Sequence, residues 1–302
     1  MTSQRLTILA TLGLLVMTAV WGSTFVLIKD VVGRMPVADF LAVRFAIAAA
    51  VLLALFARPV WQLGRRQLGR ALLLGVVYGS GQLLQTWGLA LISPSVSGFV
   101  TGMYVVFTPI FALLLLRQRV AASVWLAVLL ATAGLALLSL NGLSIDLGVW
   151  LTLASAALYA LHIVGLGQWS RAQDALGMAA VQMVAIALIC LLATAPHGPV
   201  LPPDRSAWLA VLYMALIAGA GAMLMQTWAQ AHLPAARAAI VMTTEPVFAA
   251  AFAVAFGSDV LTWRMLAGGA LVLAAMYLVE LMPRRGGQSA AGLTAEAVHH
   301  EV

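Results

Sequence analysis

Residues 85–112 read QTWGLALISPSVSGFVTGMYVVFTPIFA, and residues 226–249 read QTWAQAHLPAARAAIVMTTEPVFA. Both open on the same tripeptide, Gln85-Thr86-Trp87 and Gln226-Thr227-Trp228. They close on matching blocks, Thr108-Pro109-Ile110-Phe111-Ala112 and Glu245-Pro246-Val247-Phe248-Ala249. The first copy is the longer one and holds about one more helical turn between its blocks. Upstream, the Trp21 region aligns with Tyr159, and Arg44 then aligns with Gln182. The chain is an internal repeat.

The repeat is written in membrane composition. Of 302 residues, 63% are hydrophobic and 9% charged, with a mean hydropathy of +1.03. A soluble domain carries about 25% charged residues. A surface this free of charge must face lipid rather than water. On a ruler of roughly 20 apolar residues per crossing, ten spans are expected, near 6–28, 38–57, 71–91, 96–116, 121–140, 148–168, 176–195, 207–230, 235–256 and 261–281. Most connections are short, and the longer ones, Arg58–Arg70 and Pro196–Ser206, carry the breakers. The first stretch is too long for a signal peptide and lacks a clear cleavage site, so it is expected to be retained as a helix.

Five spans per repeat is an odd number, so the second half enters the membrane upside down. The fold class expected is therefore an all-α integral membrane protein of ten transmembrane helices, arranged as two inverted five-helix repeats. The repeats cover 6–141 and 147–282, and the small, polar tail 283–302 is expected to be disordered and cytoplasmic. Inverted repeats of this kind mark secondary transporters, with the binding site near the midplane between the halves.

Loop charge sets the orientation. With the N-terminus in the cytoplasm, Arg5, Arg58, Arg65, Arg66, Arg70, Arg117, Arg119, Arg171, Arg237, Arg284 and Arg285 lie inside. Lys29, Arg34, Arg205 and Arg264 lie outside, and Arg44 falls within a span. Both termini are then cytoplasmic. The net charge of +6 is accounted for by these loops, without a nucleic-acid partner. Cys190 stands alone, so no disulfide framework is possible.

The run AVWGSTFVLIK (Ala19–Lys29), the Pro36…Arg44 pair that opens the second span, and the block Glu245–Ala249 resemble the EamA family of the drug/metabolite transporter superfamily. The resemblance extends over about residues 10–282 and rests on the order of motifs that are each weak alone. It implies ten helices in two inverted repeats, export or exchange of small metabolites, often amino acids, and a cavity lined by spans one, three, four, six, eight and nine. One departure stands out: the first-half counterpart of the Glu-Pro block is Thr108-Pro109, so the acid occurs once.

An ionisable group deep in a span is a functional candidate by default. Glu245 lies roughly 15 Å from each interface at 1.5 Å per residue, where a carboxylate costs on the order of 2.5–3.5 kcal/mol. It must be neutral, paired or facing water, which leaves two roles: proton coupling, or a neutral brace for carbonyls freed by Pro246. Arg44 is only about 9 Å inside the span, and its stem can snorkel, so an interfacial anchor is the favoured role over binding a substrate carboxylate. Lys29 is read as an anchor too.

Polar stripes at helical spacing supply the cavity candidates. Ser97, Thr101, Tyr104 and Thr108 share one face of span four; Tyr78, Gln82 and Gln85 share one of span three; Ser155, Tyr159 and His162 share one of span six. Trp21, Tyr78, Gln82, Gln85, Tyr104, Tyr159, His162 and Gln226 are taken as substrate-lining, and Glu245 as the coupling acid. Serines and threonines read as helix glue, while Trp61, Trp125, Trp150, Trp169, Trp208 and Trp263 read as interfacial belt residues. Gly75, Gly79, Gly98, Gly102, Gly268 and Gly269 read as close helix contacts.

There is no phosphate-binding G-x-x-x-x-G-K-[ST] loop and no H-E-x-x-H or acidic metal cluster. No cofactor or metal is expected. The leading expectation is a monomeric exporter of amino acids or related metabolites in a bacterial inner membrane. A membrane-embedded enzyme or a non-transporting sensor is the alternative.

Overall fold

The computed structural model describes residues 3–92, 94–117, 120–139, 147–195, 198–255 and 262–281. The tail at 283–302 and the loop arginine Arg119 lie outside the described residues. Among the described residues every regular element is helical.

Helix α1 (Ser3–Val32) is 30 residues long, about 45 Å, and overshoots the expected span at both ends. Gly33 breaks it, and Pro36, extended at φ −61° and ψ 144°, starts α2 (Val37–Trp61). Helix α2 does not stop at residue 57. It runs on through Pro59 with a kink at Phe56 (φ −125°, ψ 26°), because the proline removes one ladder bond and crowds the preceding turn. Helix α3 (Arg65–Leu91) starts at Arg65 rather than at the expected 71, so Arg65, Arg66 and Arg70 are helical rather than loop residues.

Two expected single spans are broken in the middle. Span four is α4 (Pro94–Gly102) followed by α5 (Tyr104–Leu116), with Met103 between them. After α6 (Ala122–Ser139), α7 (Leu147–Trp169) and α8 (Ala175–Ala193), span eight runs as α9 (Arg205–Ala215), a π turn (Leu216–Gly221) and α10 (Ala222–Gln230). Span nine is α11 (Ala235–Met242) and α12 (Glu245–Ala255), and α13 (Trp263–Leu281) closes the described chain.

The α11–α12 break follows from Pro246, whose ring excludes the carbonyl four residues back, that of Met242. The Thr243 hydroxyl bonds the Ile240 carbonyl at 2.6 Å and that of Thr244 bonds the Val241 carbonyl at 2.8 Å, each beside the same residue's own N–H at 3.2 Å. Asp204 caps α9 by accepting from the Ala207 N–H at 2.9 Å. That bond first, then the Ser206 hydroxyl and Arg34, hold the exposed Asp204 carboxyl down at about 2.

Five segments are long and apolar enough to cross a bilayer: Gln4–Val32, Val37–Trp61, Leu147–Trp169, Ala175–Ala193 and Arg205–Gln230. Shorter apolar helices occur at Val100–Leu116, Ala122–Gly134 and Leu266–Ala275. By this measure the expected ten are not all reached among the described residues. At 27 residues α3 is long enough but carries Ser80, Gln82, Gln85 and Thr86. Spans four and nine are broken, and the ends of the fifth and tenth fall on residues outside the description.

Packing is close where side chains are small. A Cβ on Gly88 would collide with Thr152 Oγ1 and lie 2.8 Å from the Gly148 carbonyl, so α3 and α7 nearly touch. Gly134 does the same between α6 and α13, 2.7 Å from the Gly268 carbonyl. Gly98, expected to be a contact, shows none among the described residues: a Cβ there meets nothing within 4 Å. The pairs in contact include α2 with α8, α6 with α13, α3 with α7, α1 with α10, α1 with α12 and α5 with α7. Leucines such as Leu55, Leu114, Leu129 and Leu192 face outward, each about two-thirds exposed. Trp61, Trp150 and Trp263 are exposed as belt residues would be, whereas Trp169 is half-buried under Arg70, 5.4 Å from its ring.

Candidate functional site

The broken and polar helices converge on one cavity of about 670 Å3, counted with its open mouth. Its wall takes Trp21 from α1; Tyr78, Gln82 and Gln85 from α3; Tyr104 from α5; Tyr159 and His162 from α7; Gln226 from α10; and Glu245 from α12. All nine side chains singled out from the sequence lie around it. Thr24, Phe25, Ile28, Thr86, Leu89, Thr101, Ile163 and Met242 complete the wall with Arg44.

A chain of hydrogen bonds ties three helices together. Gln82 Nε2 donates to the Tyr159 hydroxyl at 2.6 Å, and that hydroxyl donates to Gln85 Oε1 at 2.8 Å. Gln85 Nε2 donates in turn to Thr101 Oγ1 at 3.1 Å. The Tyr78 ring packs 5.3 Å from that of Tyr159 and 4.8 Å from that of His162. Behind the wall, His162 Nε2 stands 2.8 Å from Gln182 Oε1, an oxygen that only accepts, so the imidazole carries its proton on Nε2. Trp21 Nε1 donates to the Ala218 carbonyl, in the π turn, at 2.8 Å.

Gln226 Nε2 donates to Gln230 Oε1 at 3.1 Å, and Gln230 Nε2 to the Ile163 carbonyl at 2.8 Å. Gln226 Oε1 and the Tyr104 hydroxyl are buried with no hydrogen-bond partner among the described residues. Buried polar atoms are nearly always paired. Both atoms belong to residues of the cavity wall.

Glu245 is the first residue of α12 and is 8% exposed. Among the described residues it has no hydrogen bond or ion pair. The expected alternative, in which it bonds carbonyls freed by Pro246, is not what the structure holds, since its carboxyl bonds no carbonyl among the described residues. The helix break also revises its counterpart. Tyr104 opens α5 and Glu245 opens α12, and each stands equally far along the chain from the glutamine of its tripeptide, Gln85 or Gln226. By helix position the partner of Glu245 is Tyr104 rather than Thr108, and the extra turn of the first half lies after the break.

Arg44 is the residue that sequence reasoning misjudged. It does not snorkel to an interface. It is 4% exposed, lines the cavity, donates from Nε to the Met214 carbonyl at 3.1 Å, and lies 4.9 Å from the Phe45 ring and 5.9 Å from the Phe40 ring. Every residue from Val37 to Phe45 is buried, so this half of α2 has no lipid face along which a long side chain could climb. The signal available was its repeat partner Gln182, a polar group inside span seven that is also buried. Lys29 is no free anchor either: its ammonium caps the end of α3, donating to the Leu89 and Ile92 carbonyls at 2.9 and 3.1 Å.

Known proteins share this architecture. A solved crystal structure covering 91% of this chain and 98% of its own superposes with a TM-score of 0.75 at 20% identity, a likeness of fold. A protein of Archaeoglobus fulgidus described as an uncharacterized transporter is 30% identical over 273 residues, spanning 90% of this chain and 86% of its own. Residues 8–140 and 146–281 each match the EamA-like transporter family. With both halves of the molecule, and all sides of the cavity, inside those two matches, the chain belongs to the EamA-like transporter family.

Proposed function

We propose that this multi-pass membrane transporter is a secondary carrier that exports amino acids or related small metabolites by alternating access. One observation carries the proposal: the cavity takes its wall from both family-matched stretches, with Trp21, Tyr78, Gln82, Gln85 and Tyr104 from the first and Tyr159, His162, Gln226 and Glu245 from the second. A site built across two halves closes at one end and opens at the other when they rock.

Ten spans in two inverted repeats, 6–141 and 147–282, accompany this reading. Packing supports it, because exchanging the halves maps α2–α8 and α6–α13 onto themselves, α3–α7 onto α1–α10, and α5–α7 onto α1–α12. Both termini are cytoplasmic, in a bacterial inner membrane, by the loop charges. The cavity wall reaches Ile28 and Leu89, beside Lys29, the end of α1 that then faces outside.

Protein reconstituted in liposomes should exchange labelled amino acids, and a broad metabolite panel that produces no flux at all would sink the proposal. Glu245 is the proposed proton-coupling acid. Glu245→Gln keeps shape and removes titration, so accumulation driven by a pH gradient should collapse while counterflow survives. Undiminished gradient-driven transport would eliminate the coupling role.

A further inference from the structure

Arg44 is always charged, sits at 4% exposure, and among the described residues has no carboxylate within ion-pairing distance. An isolated buried charge is strongly unfavourable unless something completes it. Of its five N–H donors, only Nε–H has a partner among the described residues, the Met214 carbonyl. That tether, with the Phe45 ring 4.9 Å from the guanidinium, fixes the plane of the group. The fork of its two terminal NH2 groups is left to the cavity, a geometry that fits a planar carboxylate bidentately.

The same cavity holds Glu245, which likewise has no partner among the described residues and is the acidic residue of its wall. The two are not paired with each other, and Tyr78 and Tyr159 lie within the electrostatic reach of both. A cation and an anion left unpaired in one cavity are complementary to a solute carrying the opposite pair. A doubly charged phosphate ester would meet Glu245 as a like charge, and a simple amine would leave Arg44 uncompensated.

We propose that the cavity recognises a zwitterion, with Arg44 clasping its carboxylate, Glu245 facing its ammonium, and the Tyr78, Tyr159 and His162 rings forming the wall for the rest of the solute. This rests on the transport reading above and adds to it the anchoring group and the chemical form of the cargo.

The test compares counterflow of each common amino acid with that of its methyl ester and of the amine lacking the carboxylate, in liposomes carrying wild type, Arg44→Lys or Arg44→Gln. Wild type should prefer the acid at least tenfold over both analogues. The Lys variant should keep part of that preference, and the Gln variant should lose it while still exchanging the amine. Equal exchange of acid and ester by wild type overturns the proposal, whether or not the Gln variant folds. So does unchanged discrimination in a folded Gln variant. Exchange of uncharged metabolites alone overturns it but leaves the transport reading standing, whereas no exchange of any compound removes both.

Discussion

The Tyr159 hydroxyl accepts from Gln82 and donates to Gln85, so a single atom joins α7 to two turns of α3. Replacing Tyr159 with Phe leaves two amide groups without their partner, and melting in detergent should report a loss of about 1–3 kcal/mol. Paired with Gln82→Leu, the two losses should be less than additive, because the variants share one bond. Thr244→Val should cost about 1 kcal/mol by the same measurement, its hydroxyl bonding both the Val241 carbonyl and Thr18. Glu245→Gln should leave the melt unmoved. The polar residues of the wall were legible in the sequence because, in lipid, a polar stripe on a helix turns inward. Arg44 was not. Its shallow depth from the span end outweighed its polar repeat partner Gln182, and what stops it climbing is the packing of α8 and α9 around α2, fixed by residues in the other half of the chain.

At the scale of elements, the contacts between helices are unequal in what they tolerate. Gly88→Ala must push α3 from α7, since the new Cβ would collide with Thr152 Oγ1, and overpacking of this kind costs about 1–3 kcal/mol. Gly98→Ala meets nothing within 4 Å and should be neutral or stabilising, by up to about 1 kcal/mol from helix propensity. Equal loss of melting temperature in both would refute the difference. Apolar length told where helices run, and Pro246 pointed to one break. The break at Met103 and the π turn were not readable, because hydrogen-bond phase along a helix leaves little trace in composition. Asp204 makes a further prediction outside the membrane. Its folded value, near 2, is below the ordinary 3.8. The bonds it makes therefore stabilise fully above about pH 4 and are lost as pH falls towards 2. Asp204→Asn should flatten that part of an acid titration of stability.

For the molecule as a whole, the repeat and the loop arginines carried most of the architectural reading, since sequence repetition and charge asymmetry are properties of the chain rather than of its packing. Cysteine labelling checks the topology they imply. Cys190 is buried, so the native background is low. Arg5→Cys and Arg171→Cys should react with an impermeant maleimide only from the cytoplasmic side, and Arg205→Cys only from the other; labelling of all three from one side would refute inversion.

The π turn at Leu216–Gly221 has one more consequence. It stores a spare residue: the Ala222 N–H reaches back to the Ile217 carbonyl, five positions instead of four. Deleting one residue there should leave an unbroken α-helix of nearly the same length. The two parts of the span should also keep their relative phase, because the wide turn holds one residue more than an α-turn while rotating through about the same angle. Gln226 would stay on the wall, and the change would be confined to the turn itself, whose Ala218 carbonyl receives Trp21. Among the described spans, this is the one where a shortened chain should insert, fold and melt close to normally. The same deletion in α7 or α8, which hold no spare residue, should reduce the yield of folded protein.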